Sequence, residues 1–327
     1  MGWGRMSREV MADIAEEPTQ EPTKESAKES AEAAAKRSRT LLTDAWCRLC
    51  KNRLAIVALV WICLVALAAI TAGLWIPANF GDPAQIDSVT VASQRLLPIS
   101  AKHPFGTDDL GRDIFGRVVY GARVSLTVGV LATFIAVGIG VFFGALAGFY
   151  GRLIDALIMR LTDVFLAFPY ILFAILILAI MPEGFRGVIP VVLAIGFLGW
   201  PTFARLFRGS VLAVKEADYV VAGRALGASD MRLIFRHIAP NAIAPVLVYA
   251  TMSIGGAILT EAALSFLGLG VQPPAISWGQ MIESSRGYLT SAPGLVFWPG
   301  LAILSTVLAF TLLGDGVRDA LDVKAGD

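Results

Sequence analysis

The chain has 327 residues, 56% of them hydrophobic and only 16% charged, with a mean hydropathy of +0.69. That is too apolar for an ordinary soluble domain and indicates a polytopic membrane protein, all-α in class. A formal net charge of +1 discriminates between no partners, and three cysteines (Cys47, Cys50, Cys63) exclude a secreted disulfide framework.

Residues 1–40 are rich in Glu, Lys, Ala, Ser and Thr and carry little that could build a core, so a disordered tail is expected. No apolar run occurs before Leu54, so no signal peptide is expected. Over residues 41–53, Leu42, Trp46 and Leu49 share one face while Arg48, Lys51 and Arg53 supply charge, the pattern of a helix lying in the membrane interface. Cys47 and Cys50 have C-x-x-C spacing, but no second pair or nearby His completes a metal site, and they read as two unrelated thiols.

Residues 54–76 form a first apolar span, followed by a polar connection over 77–123 and a second span over 124–148. Gly140, Gly144 and Gly148 recur every four residues on one face of that second span, where small residues let helices approach closely. A link with Arg152, Asp155 and Arg160 leads to a third span at 162–181, interrupted by Pro169. The fourth span covers 188–207, the fifth 241–260 and the sixth 294–313; a Gly- and Pro-containing connection at 261–293 and a tail at 314–327 complete the chain. With six spans, the side that holds both termini carries 20 Lys and Arg against 7 on the other, which places the termini in the cytoplasm and residues 77–123 outside.

Between spans four and five lies a charged loop, 209–240. Its first half reads as a helix that stops at Gly227, the residue suited to a helix C′ position; Ser229 offers an N-cap. Leu233, Ile234 and Ile238 then fall at helical spacing before Pro240. The expected product is a small exposed knob. Its basic residues are offset by Glu216, Asp218 and Asp230, and Arg205 and Arg208 read as membrane-edge anchors, so a nucleic-acid interface is discounted. A rigid helix pair joining two spans instead suits docking by a soluble partner whose motion would reach the membrane.

No Walker A, HExxH or GxSxG pattern occurs, and His103 and His237 are the only histidines, so no catalysis is expected. Asp163, Glu261 and Asp315 are read as lying at span ends, within reach of headgroups or water, which argues against a proton-coupled secondary carrier. Asp108, Asp109 and Asp113 lack EF-hand spacing and read as turn formers that pair with Arg112 or Arg117. A membrane scaffold docking a cytosolic enzyme is a further alternative.

The loop resembles the EAA loop of ABC importer membrane subunits. It keeps Ala222, Gly227 and Pro240 at the family spacing, with Val221, Gly223, His237 and Ala239 where the pattern has Glu, Ala, Ile and Leu. GTDDLGRDIFGRVVYGARVSL (106–126), RLTDVFLAFPYIL (160–172) and LTEAALSFLGLGVQPPAISWGQM (259–281) resemble the second permease subunit of dipeptide, oligopeptide and nickel ABC importers. The resemblance implies a six-helix type I importer (MetI-like) permease in the bacterial plasma membrane, among membrane lipid. It implies a homologous second permease, two cytoplasmic ATPases that bind ATP and magnesium, an extracytoplasmic substrate-binding protein and a peptide substrate. No cofactor on this chain and no nucleic acid are implied. It also implies that Ala222, Gly223, Arg224, Ala225, Leu226, Gly227, Ala228, Ser229 and Pro240 belong to the ATPase-coupling loop. Dipeptides, longer peptides, nickel chelates and opines all stay open as substrates.

Overall fold

Asn52 starts the first long helix by accepting hydrogen bonds from Leu54 N and Ala55 N at 3.1 and 3.2 Å. The computed structural model describes residues 46–81, 93–182 and 187–321, apart from the side chains of 77–79. The expected tail at 1–40, residues 82–92 of the 77–123 connection and the last six residues therefore lie outside the described residues. All regular elements among the described residues are helical. They are α1 (Arg53–Phe80), α2 (Ile114–Tyr150), α3 (Arg152–Ala167), α4 (Tyr170–Ala179), α5 (Val188–Val214) and α6 (Asp218–Ala225). There follow α7 (Asp230–Arg232), a π-helical turn (Leu233–Ile238), α8 (Ala239–Ala242), α9 (Ala244–Phe266), α10 (Trp278–Ser285) and α11 (Gly294–Leu321). Five of these are long and apolar enough to cross a membrane, and α3 with α4 makes a sixth if the bent pair is one span.

Several boundaries differ from the sequence expectation, each for a local reason. The interfacial helix expected at 41–53 is helical only at 46–49 within its described part, because Asn52 caps the next helix. α1 runs past Ile76 to Phe80, whose ring meets Phe115 of α2 at 5.3 Å. α2 begins at Ile114 and not at 124, so the polar connection is shorter than expected. Asp113 caps it by accepting from Gly116 N at 2.7 Å, and its other oxygen lies 2.9 Å from His103 Nδ1. Arg117, expected within the connection and as a partner of the nearby aspartates, is 3% exposed and sits 3.6 Å from Asp108. Paired charge is compatible with a helix where lone charge in an apolar span is not.

The 152–160 link is the first half of α3. At Phe168 the backbone turns extended (φ −91°, ψ 136°), as the residue before a proline tends to, and α4 leaves at 83° to α3. α5 continues past Phe207 to Val214 and takes over the start of the expected 209–240 loop. α9 continues past Thr260 to Phe266, and α11 past Leu313 to Leu321, so much of the expected C-terminal tail is helix. Gly314 and Gly316 allow that extension: a Cβ on Gly314 would lie 2.5 Å from Met252 Cγ, and one on Gly316 would overlap Ala55.

The seam of α2 holds the bundle together. A Cβ on Gly140 would overlap Phe203 and lie 2.8 Å from Trp200 O; one on Gly144 would lie 2.7 Å from Ala204 O, and one on Gly148 2.8 Å from Val211 Cβ. α2 and α5 thus touch backbone to backbone over three turns, as small residues permit in a bilayer. Gly144→Leu should force the two helices apart and cost about 1–3 kcal/mol, seen as a lower melting temperature of the purified protein in detergent. Gly138→Leu is the control, since a Cβ there meets nothing within 4 Å. Equal losses from both variants would refute the seam.

Candidate functional site

The knob is built from residues that face two ways. Val220, Leu233, Ile234 and Ile238 are buried against Phe203, Phe207, Val211 and Phe149 at the ends of α5 and α2. The helix over 218–225 closes with the two hydrogen bonds of a Schellman motif, Ala228 N to Gly223 O and Gly227 N to Arg224 O, at 3.1 and 3.0 Å. Gly227 has φ +81°, the left-handed conformation that motif needs. Gly223 lets the two knob helices meet, since a Cβ there would lie 3.2 Å from Leu233 Cδ2. Ser229 occupies the N-cap position of α7 without a side-chain hydrogen bond.

Pro240 does not end the second helix, as its position suggested. It falls at the second residue of α8, after a π turn that widens the helix, and Asn241 Nδ2 donates to His237 O at 2.7 Å. Arg224 lies over the Phe149 ring at 5.6 Å, and Lys215 Nζ donates to Gly148 O at 3.2 Å, so the knob is tied to the end of α2. Outward it exposes Tyr219, Val221, Met231, Phe235 and Leu226, the last 89% exposed. Ala222, Ala225 and Ser229 are exposed beside them, with Gly223 and Ala228 partly covered.

A second feature, not read from the sequence, is a cavity of about 430 Å³ walled by α2, α5, α9 and the α3–α4 bend. Its polar lining consists of hydroxyls: Thr133, Tyr170, Thr202, Tyr249, Ser253 and Thr260. Ser253 and Thr260 return their hydrogens to the carbonyls of Tyr249 and Gly256, and Tyr170 donates to Ile195 O at 3.1 Å. Thr133 Oγ1 is buried without a hydrogen-bond partner. Such a surface offers hydrogen bonds without fixed charge. Towards the knob, Arg205 pairs with Asp163 and Arg208 with Asp155, strapping α3 to α5. These arginines, expected at the membrane edge, are also inter-helix ties.

The remaining candidates separate. Asp108 Oδ1 accepts from Leu110 N and Arg112 N at 2.9 and 2.8 Å, and its Oδ2 from Arg112 Nε at 2.7 Å, which is turn formation with ion pairing. Cys47, Cys50 and Cys63 are free and exposed. Asp163 and Asp315 are exposed. Glu261 is not at a span end within reach of water: it is 0% exposed, inside α9 and beneath the segment that follows it. The sequence reading failed there because burial came from the returning segment 267–285, which period alone does not reveal.

Residues 140–326 match the family described as binding-protein-dependent transport system inner membrane component, and residues 40–96 match the N-terminal TM domain of oligopeptide transport permease C. The dipeptide transport system permease protein DppC of Alkalihalophilus pseudofirmus is 46% identical over 86% of this chain and 89% of its own length. The oligopeptide transport system permease protein OppC of Bacillus subtilis is 41% identical over 89% and 92%. The glutathione transport system permease protein GsiD of Escherichia coli O157:H7 is 43% identical over 88% and 91%. Among solved structures, a chain of the inward-facing MetNI methionine ABC transporter superposes with a TM-score of 0.52 at 20% identity, covering 63% of this chain and 97% of that one; this likeness bears on the fold. The chain therefore belongs to the binding-protein-dependent transport system inner membrane components, as a multi-pass, non-catalytic permease subunit of an ABC importer.

Proposed function

We propose that this subunit forms half of a peptide translocation path and that the knob couples the path to a cytoplasmic ATPase. The observation that carries the reading is connectivity. α5 enters the knob directly and α9 leaves it directly, and both helices wall the same cavity. α5 is about 40 Å long at 1.5 Å per residue, so a push on the knob reaches the cavity wall through a rigid rod. The exposed apolar side chains of Tyr219, Leu226, Met231 and Phe235 suit seating in a groove of a soluble partner. The knob side is cytoplasmic by the distribution of basic residues.

The substrate class is supported by permeases similar to this chain, named for dipeptides, oligopeptides and glutathione, and by a lining that suits a zwitterionic peptide. Hydroxyls can pass amide groups along without a charge to trap either terminus. An extracytoplasmic binding protein delivers the peptide, a homologous permease supplies the other half of the path, and ATP and magnesium are held by the two ATPases.

The decisive experiment is peptide uptake by the complete importer in liposomes. Uptake should need both the binding protein and ATP; persistence when the partner ATPases' Walker lysines are replaced would reject the proposal. Gly227→Trp should insert normally yet abolish uptake, because a bulky residue at a left-handed position re-aims the second knob helix. Gly227→Asn should retain most uptake, since Asn tolerates that conformation. Thr133→Trp should fill the cavity and stop uptake while ATP hydrolysis by the partners continues, separating path from coupling. Reporter fusions after Lys102 and Ser229 should read outside and inside; the reverse would overturn the orientation.

A further inference from the structure

Glu261 is fully buried, and neither the cavity nor the knob uses it. Its Oε1 accepts from Ser265 Oγ at 2.7 Å, and its Oε2 from Ser125 Oγ of α2 at 3.4 Å. Each of those hydroxyls in turn accepts a backbone N–H from the segment after α9: Val271 N reaches Ser265 Oγ at 3.2 Å, and Trp278 N reaches Ser125 Oγ at 3.3 Å. Ser277 caps α10 beside them, its Oγ accepting from Gln280 N at 3.2 Å. One carboxyl group, relayed through two serines, therefore holds both limbs of the 267–285 hairpin and a third element, α2.

The backbone is shaped for this contact. A Cβ on Gly270 would overlap Ser265, and one on Gly279 would lie 2.5 Å from Ala262 Cα. Trp278 Nε1 adds a bond to Val118 O at 2.8 Å. The hairpin lies at the end of the cavity away from the knob. Leu269 and Gly270 line a small crevice together with Leu178, Met181 and Pro190, near the start of α5. Val271 and Leu269 join the apolar cluster of Ala132, Ile195, Leu198 and Ala257, whose other sides line the cavity.

We propose that Glu261 is a positioning residue, the latch that holds the 267–285 hairpin as a plug over the end of the cavity opposite the knob. The role rests on the reading of that cavity as half of the translocation path. An apolar residue at 261 would fill the space but accept no hydrogen bond, leaving two buried hydroxyls without their acceptor and the hairpin without a fixed register.

The test uses the complete purified importer with Cys47, Cys50 and Cys63 replaced by alanine. Val271→Cys reports the hairpin and Phe207→Cys the packing near the knob; the native residues are 1% and 0% exposed. A water-soluble maleimide should modify Val271→Cys roughly tenfold or more faster in the Glu261→Ala background, the loss of buried hydrogen bonds being of that size. Phe207→Cys should stay protected. Glu261→Gln keeps the shape and one acceptor, should give a smaller rise, and decides the matter if the alanine variant does not assemble. ATP hydrolysed per peptide imported should rise in step with labelling. Continued protection of Val271→Cys in every Glu261 variant that assembles, or an equal rise at Phe207→Cys, would overturn the latch. Since labelling needs no substrate, failure of peptide uptake in the unmutated importer would sink the substrate assignment and leave the latch standing.

Discussion

The backbone contact between α2 and α5 is the constraint on which the rest depends. In a bilayer, lipid tails are as apolar as the side chains they would replace, so helices associate through close packing more than through a hydrophobic gain. Gly140, Gly144 and Gly148 bring α2 against Trp200, Phe203, Ala204 and Val211 and leave no room for a Cβ at any of the three. The two helices then behave as one body. α5 is at once a cavity wall and the stem of the knob, so fixing it to α2 fixes the geometry of both.

Secondary ties extend that body. Arg205 and Arg208 draw α3 onto α5, while Arg224 over Phe149 and Lys215 on Gly148 seat the knob against the end of α2. The knob buries one face in the bundle and offers the other to solvent. A force applied to such an element moves its stems more readily than it deforms them, because close-packed interiors resist compression. At the opposite end, the hairpin is held by hydrogen bonds to Ser265 and Ser125, which in turn donate to a buried carboxyl, a link sensitive to small displacements where apolar packing tolerates them.

What the sequence made legible was periodic or local. Long apolar runs, the four-residue glycine repeat, the stop at Gly227 and the spacing of Leu233, Ile234 and Ile238 could each be read within a few turns of helix. The readings that failed depended on neighbours distant in sequence or on local geometry that composition does not show. The second span was expected to start at 124, whereas α2 begins ten residues earlier, because the cap at Asp113 belongs to a folded turn. That Arg205 and Arg208, expected at the membrane edge, also pair with carboxylates of α3 was not legible either. The π turn just before Pro240 is likewise invisible in composition.

By itself the sequence determined the helical class, the number of apolar segments, the side to which basic residues are sorted and the position of the knob. These follow from hydropathy, charge bias and the conformational freedom of single glycines, all properties of a short stretch of chain. Tertiary structure alone decided which hydroxyls share a cavity, how α3 and α4 bend around it, and that Glu261 is enclosed and not exposed. Each of these depends on groups far apart in sequence being brought within hydrogen-bonding or packing distance: Ser125 and Trp278 meet only because the 267–285 segment folds back onto α2.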